Sequence, residues 1–167
     1  MLSWYYDDCI KASPEICPIF EPTISQIDKH VNNALERLKV VPIPFVNTTD
    51  GTLAVVGYDL VKGQFLLTMY APHDIGAAFA SAFAALEAGN SEEMWGLSAA
   101  AATEELFDGF CSPEANGTAA AGPPLYPIAC GDGAPVDATL DDLRDFVERM
   151  SKQSVFGDVW TIHIYCA

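Results

Sequence analysis

The side chains that could support catalysis in this chain of 167 residues are three histidines and one serine. His30, His73 and His163 lie far apart in the sequence, and no acidic or cysteine residue accompanies them at metal-site spacing. Ser98 lies in residues 96–100, which lack the second glycine that the strained turn around a nucleophilic serine requires. No phosphate-binding, dinucleotide-binding or zinc-peptidase motif occurs. The sequence therefore predicts no catalytic residue and no cofactor.

Each histidine also has an ordinary structural interpretation. His30 falls on the polar side of a predicted amphipathic helix, where its side chain is expected to be solvated. His73 precedes Asp74 at a predicted helix start, which is typical of a capping segment. His163 lies among apolar residues and is expected to be a hydrogen-bonded core side chain.

Asp132, Asp137, Asp141 and Asp142 are close enough in the sequence to suggest a calcium loop. They lack a ligand at every second position and the closing glutamate of an EF-hand. Asp141 and Asp142 fall in the first turn of a predicted helix, where carboxylates interact favourably with the helix dipole. We therefore expect no metal site in this segment.

The composition makes two classes of partner unfavourable. Lys and Arg number 8 and Asp and Glu number 23, so the formal net charge is −15. A surface this acidic repels phosphate groups, which opposes binding to nucleic acid and to anionic membranes. No run of about 18 apolar residues occurs, so no transmembrane helix is expected. Hydrophobic residues make up 50% of the chain, which is enough for a packed core.

Several features are typical of secreted proteins. The chain has five cysteines, and glycosylation sequons begin at Asn47 and Asn116. The first residues carry no basic segment followed by an apolar stretch, so no signal peptide is predicted. We expect a secreted protein whose natural N-terminus is missing from this sequence.

The odd number of cysteines leaves at least one of them unpaired. Seven residues separate Cys9 from Cys17, enough for a loop at a helix end to bring their Cα atoms within disulfide distance. We predict that these two cysteines form a disulfide. The alternative is two buried free thiols.

Hydrophobic periodicity predicts a mainly α fold with about six helices, a small β-hairpin and one short core strand. Apolar side chains recur every three or four residues over 24–38, 58–69, 75–86 and 140–150. Residues 91–102 are also expected to be helical, and a last helical face is predicted over 156–163. Asp50-Gly51 between two β-branched segments predicts a hairpin near residues 45–56. The core strand is expected at 125–130.

Three parts of the chain are predicted from these patterns. Residues 1–96 are expected to form a helical region that contains the hairpin. Residues 97–124 are expected to form a loop rich in alanine, glycine and proline. Residues 125–167 are expected to contain the short strand and two further helices.

Short segments in a fixed order carry a resemblance to a known family. They are Cys-Ile-Lys-Ala-Ser-Pro-Glu-Ile-Cys at 9–17, Leu-Thr-Met-Tyr-Ala-Pro at 67–72, Ala-Leu-Glu-Ala-Gly-Asn at 85–90, Ile-Ala-Cys-Gly-Asp at 128–132 and Tyr-Cys-Ala at 165–167. In this order the chain resembles the middle of fungal secreted α/β-hydrolases of the tripeptidyl-aminopeptidase-like, proline-iminopeptidase-related group. It departs from their pattern at Ser13, where the family usually has glycine, at Met69 and at residues 73–75.

The resemblance implies that the chain corresponds to the cap, or lid, of a serine hydrolase plus one core strand. In this family the nucleophilic serine lies upstream of the first cysteine pair, and the acid and histidine lie downstream of the last matched segment. The chain would therefore carry no member of the triad. The whole enzyme would release N-terminal residues or short peptides, or cleave a small ester or amide, and the missing hydrolase core would be this chain's partner.

The resemblance also implies a second disulfide, between Cys130 and Cys166, with Cys111 left free. Two alternatives to a hydrolase cap stay open at the level of the sequence. One is a stand-alone secreted acidic helical protein that binds apolar ligands. The other is a truncated gene product without a function.

Overall fold

The computed structural model describes residues 2–47, 51–101 and 138–160. The chain divides into two compact units, Met1–Ala101 and Ala102–Ala167. The described residues contain six helices and one two-stranded antiparallel hairpin, which confirms the mainly α fold predicted from the sequence.

Seven of the eight elements belong to the first unit. In chain order they are α1 (Leu2–Ala12), α2 (Ile24–Val40), β1 (Ile43–Val46), β2 (Leu53–Val56), α3 (Tyr58–Tyr70), α4 (Pro72–Glu87) and α5 (Glu92–Ala101). The second unit contains α6 (Leu140–Gln153). The hairpin therefore lies where the Asp50-Gly51 signal predicts it.

Local sequence signals set the bounds of α2 and α4. The Thr23 hydroxyl accepts the N–H of Gln26 at 3.3 Å and caps α2. Pro72 lies in the first turn of α4, where its missing N–H costs nothing. Gly89 ends α4 in the left-handed region with a φ of 89°, and its N–H donates to the Leu86 carbonyl at 2.9 Å.

The core of the first unit is built around aromatic rings from α1, α3 and α4. Phe65 and Phe79 stack with their centroids 4.8 Å apart and their planes inclined by 5°. Phe83 lies 5.8 Å from Phe79, one turn along α4. Tyr5 and Tyr6 approach Phe65 at 5.9 and 6.3 Å. These pairs have the offset and tilted geometries that aromatic side chains favour in cores.

One face of α2 completes this core, as its periodicity predicts. Ile27, Val31, Leu35 and Leu38 are buried, while Ile24 at the start of the helix is exposed. α3 packs against α2, α4 and α5, which explains why its buried residues spread widely around the helix. A position between several helices needs no single apolar stripe.

The hairpin pairs Ile43 with Val56 at its open end and Val46 with Leu53 near its turn. Gly51 has a φ of 78°, and its N–H donates to the Asn47 carbonyl at 2.8 Å. A glycine suits this position because the left-handed region carries no Cβ penalty for it.

Several local interactions stabilise the turns of α6, whose apolar face is half-buried. Thr139 and Asp142 form a capping box, in which each side chain accepts the other residue's backbone N–H. Arg144 pairs with Asp141 at 3.0 Å, one turn apart. Asp141 and Asp142 therefore stabilise the first turn of α6, as their sequence position predicts.

Two predicted boundaries are wrong. The loop predicted over 97–124 starts too early, because α5 continues to Ala101. The last helical face predicted from residue 156 begins instead as turns over 155–159, with the Trp160 N–H donating to the Phe156 carbonyl at 2.9 Å. The predicted strand at 125–130 and residues 161–163 lie outside the described residues.

Candidate functional site

A disulfide between Cys9 and Cys17 closes the corner between α1 and α2, as the spacing predicts. Their Cα atoms are 5.4 Å apart, and both residues are buried. Between them, Ser13 has a φ of 74°, in the left-handed region that most residues avoid. The Ser13 hydroxyl donates to the Glu15 carboxylate and lowers the pKa of that carboxyl. The Ser13 carbonyl also accepts the Cys17 N–H at 2.9 Å, which fixes the loop.

Tyr5 ties the same corner to α4. Its hydroxyl donates to the Gly76 carbonyl at 2.8 Å, although the two lie 71 positions apart in the sequence. A Cβ on Gly76 would lie 2.9 Å from Cε2 of the Tyr5 ring, so this close approach requires glycine. Burial raises the pKa of Tyr5, which keeps the hydroxyl protonated and able to donate.

A first cavity of about 200 Å³ lies between α1, the disulfide loop and α4. Small and apolar side chains make up most of its wall, and the disulfide forms part of it. Asp8 and His73 contribute an exposed carboxylate and an exposed imidazole to the lining. The cavity suits a small apolar group with a polar end. Its apolar lining includes Ala12, Ile16, Ala77 and Ala80.

A second cavity of about 220 Å³ lies between α2, the start of β1 and α4. The side chains of Leu38, Ile43 and Phe83 give it an apolar interior. An ion pair also borders it, with Nη2 of Arg37 donating to Oε1 of Glu87 at 2.8 Å. This arrangement combines an apolar interior with one polar donor and one polar acceptor.

His30 lies beside that ion pair and links α2 to α4. Its Nε2 is 2.7 Å from Oε2 of Glu87, and its Nδ1 is 3.4 Å from Oε1 of Glu21. Its side chain is half-buried, so His30 has, besides the solvated helix position that the sequence predicts, a contact with α4. No local pattern signals this contact, because His30 and Glu87 lie 57 positions apart in the sequence.

Ser98 has the position of an ordinary helical serine. Its hydroxyl donates to the Met94 carbonyl at 3.1 Å, one turn earlier in α5. A nucleophilic serine of a hydrolase instead lies on a sharp turn between a strand and a helix. His73 is exposed in the first turn of α4, beside Asp74, which lies in the same turn. His163 lies outside the described residues.

The structure describes only one of the other predicted site residues. Asn47 lies just after β1, half-buried, and its N–H donates to the Thr52 carbonyl at 2.9 Å. The remaining ones lie outside the described residues: Asn116, Cys111, Cys130, Cys166, Asp132 and Asp137. Their glycosylation and disulfide pairing stay predictions.

The described part of the chain offers neither a metal-binding cluster nor a membrane-spanning helix. No group of three or more histidine, cysteine or acidic side chains there is arranged to hold a metal ion. Of the helices in the ranges 2–47, 51–101 and 138–160, none is long and apolar enough to cross a membrane.

Comparison with protein-family models, with curated proteins and with solved structures finds no match for this chain. Its function is therefore inferred from its residues and their geometry. The features with the most specific geometry are the disulfide corner and the two cavities, all within the first unit.

Proposed function

We propose that the first unit is the substrate-covering cap of a secreted serine hydrolase that releases N-terminal residues or short peptides. The observation that carries this proposal is the left-handed backbone of Ser13 within the Cys9–Cys17 loop. The hydrolases that the chain resembles usually have glycine at this position, and glycine adopts a positive φ without steric cost. A positive φ at the position of Ser13 is therefore a physical reason for the glycine that these hydrolases usually have there.

The cavities and the charge of the chain also support a cap. A cap covers a substrate with apolar helices, and the two cavities border α1, α2 and α4. The net charge of −15 favours substrates with a free α-ammonium group over anionic ones. The catalytic serine, acid and histidine of the enzyme would lie outside these 167 residues.

Secretion is part of this proposal. Disulfides persist in oxidising compartments, and the buried Cys9–Cys17 pair supports an extracellular location. A glycan on Asn47 would agree with it. Mass spectrometry of the native protein before and after glycosidase treatment tests this part, and an unmodified Asn47 in protein recovered from the cytosol would contradict it.

The experiment that tests the cap uses a serine-directed fluorophosphonate. The native polypeptide that contains these residues is isolated with an antibody raised against the purified chain, labelled, digested and sequenced. We expect the label on a serine outside residues 1–167, and we expect the purified chain alone to cleave neither aminoacyl- nor tripeptidyl-arylamides. An unlabelled native polypeptide, or a labelled serine within residues 1–167, would contradict the proposal.

The second cavity favours one other candidate function, the binding of an apolar ligand by the chain itself. An apolar cavity with one polar pair at its border is a common form of small-molecule site. Ala34→Leu would fill this cavity, whereas Ala77→Leu would place the same side chain in the first cavity. Titration with an anilinonaphthalene sulfonate dye would show binding that only Ala34→Leu abolishes. Dye binding that both variants retain would contradict this candidate.

A further inference from the structure

The two edges of the hairpin differ in how they are protected. Pro44 of β1 has no N–H, and its carbonyl accepts the Ser91 hydroxyl at 2.9 Å. Phe45 of the same strand stacks on Trp95 of α5, with centroids 5.3 Å apart. The edge of β1 is thus closed both by a proline and by the start of α5.

The edge of β2 presents backbone groups that the hairpin does not use. The Asn47 N–H donates to the Thr52 carbonyl, so these two residues form a hydrogen-bonded pair. From this pair along the hairpin, non-hydrogen-bonded and hydrogen-bonded pairs alternate. Leu53 and Val55 therefore lie opposite Val46 and Pro44 in non-hydrogen-bonded pairs. Their own N–H and C=O groups are directed away from β1. Within the described part of the chain, no hydrogen bond to these outward groups is found.

The side chains beside this edge are apolar and exposed. Leu53 is 78% exposed, Val55 58% and Val46 57%. From residue 40 to residue 57, Asp50 is the sole charged residue of the sequence. Exposed strand edges are usually protected by charged side chains, proline, a bulge or a covering element. β2 carries neither a charge nor a proline.

The geometry points to β2 as a strand-addition site for an extended polypeptide segment that has apolar residues at alternate positions and basic residues between them. The backbone of Leu53 and Val55 would supply two donors and two acceptors, and the outer face would contact the apolar side chains. A second copy of this chain is disfavoured, because each copy carries a net charge of −15. The exposed carboxylate of Asp59, just after β2, favours a basic segment.

The test uses a fluorescent peptide of about ten residues with alternating valine and lysine, and fluorescence polarisation with the full chain. We expect saturable binding, and binding about tenfold weaker for the same peptide with glutamate in place of lysine. Val55→Pro removes an outward N–H while leaving the ladder intact, so it should weaken binding about tenfold. Val55→Ile is the matched control, because it keeps the outward N–H and an apolar side chain at the same position. It should leave binding unchanged.

Three results would overturn this inference. One is equal binding by Val55→Pro, Val55→Ile and the unchanged chain, with circular dichroism showing that both variants are folded. Another is a dimer in sedimentation that Val55→Pro dissociates, because the edge would then be occupied by a second copy. The third is slow hydrogen exchange at the Leu53 and Val55 amides of the free monomer, because another part of the chain would then cover the edge.

Discussion

Two helices of similar length, α3 with 13 residues and α6 with 14, differ in how deeply they are buried and in the contacts described for them. α6 separates its apolar and charged side chains most cleanly of the six described helices, yet none of its residues is buried. α3 shows almost no such separation, yet five of its residues are buried, including the polar Gln64 and Thr68. Patterning shows which face a helix is able to bury, and the neighbouring elements decide how much of it is buried.

The two helices also differ in how their polar groups are satisfied. In α3, the buried Thr68 hydroxyl donates to the Gln64 carbonyl at 2.9 Å, so this polar group has a hydrogen-bond partner inside the core. In α6, the polar groups pair along the exposed surface, for example Lys152 with Glu148 at 2.6 Å. Among the described contacts, tertiary packing therefore prevails in α3, whereas capping and local ion pairs prevail in α6.

Truncating one ring in each unit should give the largest contrast. Phe79→Ala removes a fully buried ring that stacks on Phe65, so it should lower the free energy of unfolding by about 3–5 kcal/mol. Phe146→Ala removes a half-buried ring of α6 and should cost about 1 kcal/mol. Urea titrations followed by circular dichroism measure both changes. Equal losses would remove the distinction between the two helices.

Removing the disulfide should cause the next largest loss of stability. The double variant Cys9→Ser with Cys17→Ser should lose about 2–3 kcal/mol of stability in the first unit, because a closed loop of this length restricts the unfolded chain. Hydrogen exchange in α6 should be unchanged. Within the first unit, dithiothreitol should destabilise the unchanged chain but not the variant. A variant as stable as the oxidised chain would show that the crosslink contributes nothing to the first unit.

Two glycine substitutions should change stability in opposite directions. Gly76→Ala places a Cβ 2.9 Å from the Tyr5 ring, so the tyrosine must move, at a cost of about 1–3 kcal/mol. Gly63→Ala in α3 meets no atom within 4 Å and should stabilise the helix by about 0.5–1 kcal/mol. Thermal melts of both variants measure this. Stabilisation by Gly76→Ala would contradict the packing described for α1 on α4.

Loss of the capping box should affect α6 alone. Thr139→Ala removes the side chain that caps this helix, a change that costs about 1 kcal/mol at a typical helix start. Hydrogen bonds from Thr139 hold the pKa of Asp142 below its usual value, so the Asp142 contribution is present at neutral pH. It is lost as the pH falls through the lowered pKa. NMR of the α6 amides during acid titration should show fraying at low pH, and this step should be smaller in the variant, because only the bond from the residue 139 backbone N–H to Asp142 remains.

The smallest effect is expected for the substitution of Ser13 by glycine. Ser13→Gly relieves the left-handed backbone but gives up the hydrogen bond to Glu15, so stability should change by less than about 1 kcal/mol. Ser13→Val places a β-branched residue at a φ of 74° and should cost about 1–2 kcal/mol. Thermal melts measure both. A valine variant as stable as the glycine variant would contradict the conformational reason for a glycine at this point of the motif.

Local signals in the sequence predicted the elements that depend on local interactions. The stripe from Ile27 to Leu38, the glycine turn at Gly51 and the Cys9–Cys17 spacing all involve residues close in the chain. Contacts between distant segments could not be predicted in this way. The Tyr5–Gly76 bond, the His30–Glu87 pair and both cavities join α1 or α2 to α4, and their residues have no shared pattern.

Hydrogen exchange of the full chain, followed by mass spectrometry under native conditions, tests the contrast between tertiary and local stabilisation most directly. We predict that amides of α3 near Phe65 and Thr68 exchange only when the first unit unfolds as a whole, because this helix is enclosed by α2, α4 and α5. Amides of α6 near Asp145 and Glu148 should exchange much faster, through local fraying. Exchange in α6 as slow as in α3 would contradict this account.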